Sequence, residues 1–545
     1  MSERHALYTL IPHSRMLAFG VLILVLSYWD WPGSRRKGIP PGPVPIPILG
    51  NLLQLKPRVF YDRIHELNQK YGPLASLKMG SNNVIIIGGD GSLVRELLDK
   101  RGSIYSNRPT EPVMKIASGG DHLLFQQDTE KWRTARKQIV RHYPRTSDPE
   151  QVRLQEAESV QLLHDFLHDP EQHMEHSMRY TTSVITCLNY AVRCATYSDP
   201  VIHGIEAIMT RIARPPVEHF PFLWFNYPPK LSYSNLTSTS AFVRYLPDFV
   251  AGNWKAKTQR LRGLMDKIYG GLAEIGWKRG GEGLNIGNFA YKLRLNEKVT
   301  KLTRNQQAQI CGITLEGGSD IVAGVVSTAI LALIADTQIQ DRARQEIDSI
   351  YDEDTLPSWS DEQGMPFIRA IVKETLRWRP PLPNCVPHKL EQDDTYQGYL
   401  LPKDSTIICN IWAIHSNPER YEDPHKFNPN RFLKYGLSMA SSMVQSDPFE
   451  RDHFAFGAGR RSCPGVQLAE QGIFIAISRL LWAFNFSAHT GTVVNTDQTA
   501  FHGSIRRPKK YPVVITPRSE RRVETIEREM LSATENVFSL YGSFK

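Results

Sequence analysis

The chain is short of cysteine, of charge imbalance and of long apolar runs. Its six cysteines (Cys187, Cys194, Cys311, Cys385, Cys409 and Cys463) include no close-spaced pair of the kind that clips a metal or makes a redox motif. That excludes a zinc knuckle and a disulfide framework, and fits a reducing compartment. A formal net charge of +9 over 545 residues is mild. It allows attraction to an acidic partner or to anionic lipid, and falls far short of the excess that binds nucleic acid. No internal repeat and no long low-complexity tract occurs, so repeat architectures are excluded. Met16 to Trp29 is uncharged and mostly apolar, yet shorter than the roughly 18–20 residues of an ordinary membrane span. No A-x-A-like site follows it, which argues against a cleaved signal peptide. Apolar content of 41% and aromatic content of 10% are ordinary, so a large core can be buried.

What is present is one cysteine in a distinctive setting. Phe456-Gly457-Ala458-Gly459-Arg460-Arg461-Ser462-Cys463-Pro464-Gly465 places a thiol between a glycine-bearing turn and an apolar-periodic segment. There Val466, Ala469, Ile473, Ile477, Leu480, Leu481 and Phe484 recur at three- and four-residue steps, which predicts a buried helix over 466–484. Pro464 fits its first position, where a missing N–H costs nothing. Cys463 is then expected at a helix N-terminus, where free N–H groups and the macrodipole lower a thiol's pKa and favour a thiolate ligand. A lone cysteine is ordinarily just a buried thiol. Here Gly457 and Gly459 permit conformations other residues resist, Gly465 admits a flat group, and Arg461 offers a cation to a carboxylate on that group.

The pattern F-x-x-G-x-R-x-C-x-G, matched by Phe456, Gly459, Arg461, Cys463 and Gly465, resembles the haem-binding loop of the cytochrome P450 family. The resemblance runs from about Gly38 to Ser519. It implies a mainly α fold with small β-sheets, and haem b with Cys463 as the axial iron ligand. It also implies an uncleaved anchor and basic stop in residues 1–37, ahead of the hinge Gly38-Ile39-Pro40-Pro41-Gly42-Pro43 and a catalytic domain over 38–545. Arg35, Arg36 and Lys37 after the apolar run predict that the following chain stays cytosolic, and the resemblance implies a single-pass anchor in the endoplasmic reticulum membrane.

Other motifs follow in family order. Trp132 and Arg136 lie four apart, so one helical face presents both. Alone they read as a basic surface face; in register they resemble the family's W-x-x-x-R, which contacts a haem propionate. Thr303-Arg304-Asn305-Gln306 predicts a capping box opening a helix that runs to about Asp336, roughly 50 Å at 1.5 Å per residue. Gly312, Gly317, Gly318 and Gly324 each cost that helix up to about 1 kcal/mol, as though its backbone yields space to something. Gly317-Gly318-Ser319-Asp320-Ile321-Val322 aligns with the family's oxygen-activating stretch, Asp320 matching the acid. Ile321 stands where a threonine hydroxyl is expected, and leaves proton delivery to Asp320 through water, to Ser319 or to the substrate.

Glu374 and Arg377, three apart, are ordinarily a surface pair of small worth. In register they resemble E-x-x-R, with Arg431 of Phe427-Asn428-Pro429-Asn430-Arg431-Phe432 as third member of a structural cluster behind the haem loop. His388 stands where the family places a propionate-binding group, and Phe501 to Ser504 where it places a substrate-contacting loop. His219 to Phe225 is strongly apolar and corresponds to the substrate-channel cover, or is a buried loop. Periodicity further predicts helices over 60–71, 92–100, 340–351 and 367–379, and strands over 74–79, 84–87, 406–412 and 511–516. Residues 520–545 lie beyond the usual family end and have no assignment.

The resemblance implies NADPH-dependent monooxygenation of a small organic molecule by dioxygen. Electrons would come from a flavoprotein reductase docking on the face of Arg133, Lys137 and Arg460. The style of Arg451 to Phe456 is similar to fungal microsomal members, many of which act in secondary metabolism. Two other classes are compatible: a haem-thiolate isomerase or dehydratase needing no dioxygen, supported by Ile321, and a non-catalytic haem-binding paralogue.

Overall fold

The computed structural model describes Gly20 and residues 37–545, except 47–49, 52–53, 55–59, 81, 111, 145–147, 214–252, 504 and 545. The apolar run at Met16 to Trp29, Arg35, Arg36, the stretch His219 to Phe225 and Ser504 fall outside the described residues, Gly20 excepted.

Seven of the helices concern the site and the chain's C-terminal end: α1 (Glu130–His142), α2 (Pro149–His168), α3 (His173–Tyr190), α4 (Arg304–Ala335), α5 (Pro366–Trp378), α6 (Val466–Ala483) and α7 (Glu520–Asn536). Ten short strands are described: β1 (Leu74–Met79), β2 (Asn82–Ile87), β3 (His388–Lys389), β4 (Asp394–Tyr396), β5 (Tyr399–Leu401), β6 (Thr406–Cys409), β7 (Phe484–Ser487), β8 (Phe501–His502), β9 (Arg507–Pro508) and β10 (Val514–Pro517). The largest sheet has the order β1-β2-β6-β3, with β1–β2 an antiparallel hairpin and β2–β6 parallel. Three two-stranded sheets complete the β content among the described residues. The fold is mainly helical with small sheets.

The axis of the molecule is α4, whose 32 residues span roughly 48 Å at 1.5 Å per residue. Its capping box forms as the sequence predicts: the Thr303 hydroxyl accepts the Gln306 N–H, and the Gln306 side-chain amide oxygen accepts the Thr303 N–H at 2.9 Å. Val325, Val326 and Ile330 pack with Ile371 and Leu376 of α5 and with Ile473 and Ile477 of α6 in one core. Among the described residues α4 is the one helix long and apolar enough to cross a membrane, but 83% of its most apolar window is buried inside the protein. It is a core helix.

The glycines of α4 do yield space, and at three of the four they yield it to protein. A Cβ on Gly312 would stand 2.4 Å from Tyr269, on Gly318 2.5 Å from Ile185 and on Gly324 3.2 Å from Arg507. Only on Gly317 would it meet nothing within 4 Å.

The tail beyond residue 519 is part of the fold. Helix α7 buries Ile526 and Ala533, the Gly542 N–H donates to the Ala191 carbonyl at 2.9 Å, and the Arg193 guanidinium lies 3.4 Å over the Phe538 ring. On α6, buried Glu470 accepts the Met439 N–H at 2.9 Å, and burial pushes its carboxyl up to about 7, with that N–H and Lys373 pulling down. The folded chain therefore holds this proton more tightly than the unfolded one. The contribution is present below the ordinary carboxylate range and is lost as pH rises through about 7, amounting to at most about 3 kcal/mol. Glu470→Gln keeps an acceptor for Met439 and removes the titration. It is expected to flatten thermal stability between about pH 5 and 8, raising the melting temperature at the alkaline end only.

Candidate active site

Helix α6 begins at Val466 with Gly465 as its N-cap, so Pro464 is not its first residue and Cys463 precedes it by three positions. The strand β7 takes over at Phe484. The loop is instead fixed by its own contacts. The Cys463 N–H donates to the Phe456 carbonyl at 2.9 Å, closing a turn that puts Gly457 and Gly459 at φ of 69° and 66°. The Gly459 N–H donates to Asp99 at 2.7 Å, and a Cβ on Gly459 would stand 2.1 Å from the Leu98 carbonyl oxygen. The expected low thiol pKa is absent: burial pushes the Cys463 thiol up, against the Gly465 N–H and Arg136. With the helix starting three residues later, the macrodipole does too little to offset desolvation.

The Cys463 side chain lies half-buried on the wall of a cavity of about 1330 Å³. Helix α4 contributes Gly317, Gly318, Asp320 and Ile321 to that wall, and the segment Pro381 to Pro387 faces it from another element. Added Cβ atoms at Gly317 and Gly465 would both project into open space.

Three cations gather on one side. Arg461 lies 3.7 Å over the Trp132 ring and donates to the carbonyls of Ser106 and Gln126, both at 2.8 Å. Arg136 donates to the Ser462 carbonyl at 2.5 Å. Arg108, which carries no motif and escaped the sequence reading, donates to the carbonyls of Val386 and Pro387 at 2.7 and 2.8 Å. Burial pushes Arg461 down to about 9, with Arg108 and Arg136 adding repulsion, and Arg108 down to about 10, with Arg136 adding repulsion. Among the described residues neither Arg108 nor Arg461 is ion-paired to a carboxylate within 4 Å. Such mutually repelling cations in a low-dielectric wall call for anions. A flat group bearing carboxylates and an iron for the Cys463 sulfur fits these residues.

His388 lies elsewhere. It is buried on β3, donates from Nδ1 to the Tyr105 carbonyl at 2.7 Å, and is not part of the cavity lining. Burial, with Arg108 and Arg461 alongside, holds its pKa well below the usual histidine range. Its Nδ1 proton is committed to Tyr105, while Arg108 lines the cavity. Ser319 is also displaced. It is fully buried, its hydroxyl has no hydrogen-bond partner among the described residues, and its carbonyl accepts the Thr181 hydroxyl at 2.9 Å on the α3 side. It does not line the cavity.

Asp320 does, and it is paired: Arg507 of β9 donates to it at 2.6 Å. Burial pushes its carboxyl up and Arg507 pulls it down. Ile321 presents only hydrocarbon beside it. Behind the loop, fully buried Glu374 accepts from Arg377 Nε at 2.9 Å, Arg431 Nε at 3.2 Å and the Asn428 N–H at 2.8 Å.

The family model for cytochrome P450 matches residues 40–515. The chain is similar to the cytochrome P450 monooxygenase patI of Aspergillus clavatus, 35% identical over 98% of this chain and 99% of that one. It is also similar to the cytochrome P450 monooxygenase acuD of Aspergillus aculeatus, 32% identical over 97% and 98%. Among solved structures it resembles a zebra fish cytochrome P450 in an abiraterone complex, with a TM-score of 0.64 at 23% identity over 84% of this chain and 100% of that one. The matched span contains the whole site, and the chain belongs to the cytochrome P450 family, a haem-dependent monooxygenase whose cofactor iron takes a cysteine thiolate ligand.

Proposed function

We propose that this chain inserts one oxygen atom from dioxygen into a small organic substrate in secondary-metabolite biosynthesis, drawing NADPH electrons through a reductase. One observation carries the reading: Cys463, the cation cluster and the Asp320–Arg507 pair all open on one cavity with a largely apolar wall. Haem bound there supplies dioxygen activation, its iron held by Cys463. Arg108, Arg136 and Arg461 would hold its carboxylates, with Trp132 supporting Arg461 from beneath. Phe456, Gly459 and Gly465 shape the loop beside the thiolate, while the apolar wall excludes water and positions substrate.

Protons are the task Ile321 leaves open. Burial pushes the Asp320 carboxyl up and Arg507 pulls it down, so movement of Arg507 would bias whether that carboxyl holds a proton it can deliver. A second reading, a haem-thiolate isomerase or dehydratase, is favoured by the hydrocarbon of Ile321 in the cavity wall. For the reductase, exposed Arg133, Lys137 and Arg460 offer a basic face, tempered by Asp128, which pairs with Arg133 at 2.8 Å. Residues 1–37 would anchor the catalytic domain, residues 38–545, on the cytosolic side of the endoplasmic reticulum membrane.

The test is turnover with reductase, NADPH and isotopically labelled dioxygen against a pool of host metabolites, read by mass spectrometry. Label in a product supports monooxygenation; conversion without label or NADPH moves the chain to the isomerase class. Asp320→Asn is expected to cut product per NADPH by about 10–100-fold and divert electrons to peroxide. Ser319→Ala is expected to leave that ratio intact, since Ser319 does not line the cavity.

A further inference from the structure

Helix α7 brings a carboxylate against two histidines of α2, and we propose that these three side chains bind a divalent transition ion of the zinc class. His164 and His168 lie four apart, so one face of α2 presents both rings, with centroids 4.3 Å apart. Glu527 meets them from the other helix: Oε1 is 2.8 Å from His168 Nε2, and Oε2 is 3.6 Å from His164 Nε2. The ligand atoms of all three lie within 4.8 Å of one another. Zinc bonds of about 2.0–2.2 Å at tetrahedral angles set neighbouring ligand atoms about 3.3 Å apart. The two observed contacts bracket that spacing, so small rotamer adjustments bring the three onto one ion, with water in the fourth position.

The donor set decides the class of ion. Two imidazoles and one carboxylate suit zinc and its neighbours, whereas magnesium and calcium seek oxygen ligands throughout. The side chains of His164, His168 and Glu527 are 30%, 57% and 44% exposed, so an ion reaches them without unfolding. None of the three lines the active-site cavity. The site joins the C-terminal helix to α2, and an ion there clips the tail of the chain to the catalytic domain.

The test uses the full-length, haem-loaded chain without an affinity tag. Zinc and magnesium are titrated against a chromophoric chelator, and hydrogen exchange is followed over residues 520–536. Wild type is expected to take one zinc with micromolar affinity and to ignore magnesium, and exchange in α7 slows as zinc binds. His168→Gln and Glu527→Gln are each expected to weaken zinc about ten-fold or more while leaving haem absorption unchanged. Zinc affinity untouched by both variants, or no micromolar zinc site in wild type, overturns the proposal. Zinc lost in the variants with no change in α7 exchange keeps the site and overturns the clip.

Discussion

Replacing Cys463 with alanine is expected to abolish turnover, by at least about a thousand-fold, while the chain still folds. The cavity offers two thiols, because Cys385 lines it as well. Both are held protonated by burial in the metal-free chain, so acidity does not choose between them. Position does. Cys463 receives the Gly465 N–H, lies near Arg136 and sits in a loop tied down at both Phe456 and Asp99. Haem iron, when bound, would take this sulfur as a thiolate. Cys463→Ala removes one half-buried sulfur and no packing core, so circular dichroism should match wild type. Cys385→Ala should retain haem and turnover; loss of both there, with retention in Cys463→Ala, would falsify the assignment of the iron ligand.

The second large effect falls on a residue that touches no cofactor. Glu374→Ala is expected to destabilise the fold by about 3–5 kcal/mol and to leave the purified chain largely without haem. Its carboxylate holds Arg377, itself almost fully buried, together with Arg431 and the Asn428 N–H. Without it two guanidiniums face each other in a dry interior. Arg377 also donates to the His415 carbonyl, and His415 Nε2 accepts the Phe454 N–H at 2.9 Å, just ahead of the cysteine loop. Disorder at Glu374 therefore reaches the cofactor through one side chain. Arg431→Ala, which removes a partner that is 11% exposed, should cost about 1–2 kcal/mol and spare part of the haem. Thermal melting and haem content per chain measure both variants, and equal damage from the two would reject the hierarchy.

The sequence by itself determined the local matters. The box at Thr303 and Gln306 starts α4 because a hydroxyl and an amide three residues apart satisfy each other's backbone. The glycines, arginine and cysteine of the 456–465 loop mark the chain as a cytochrome P450, because a close-fitting loop leaves few residue choices at fixed spacing. The carboxylate and two arginines of the Glu374 cluster were legible for the same reason.

Only the tertiary structure decided what distant segments do to one another. Arg108 carries no motif, and becomes a third cation on the cavity wall because the chain folds its carbonyl partners, Val386 and Pro387, some 280 residues away, against it. Arg507 reaches Asp320 across 187 positions, His388 turns to Tyr105, and Ser319 faces α3. The tail, unreadable as a motif, gains its partners Ala191, Arg193, His164 and His168 only by docking. Spacing along a chain fixes which atoms within one turn can meet. Desolvation and charge at a buried site depend on every segment packed around it, and these set which of the matching residues are free to act.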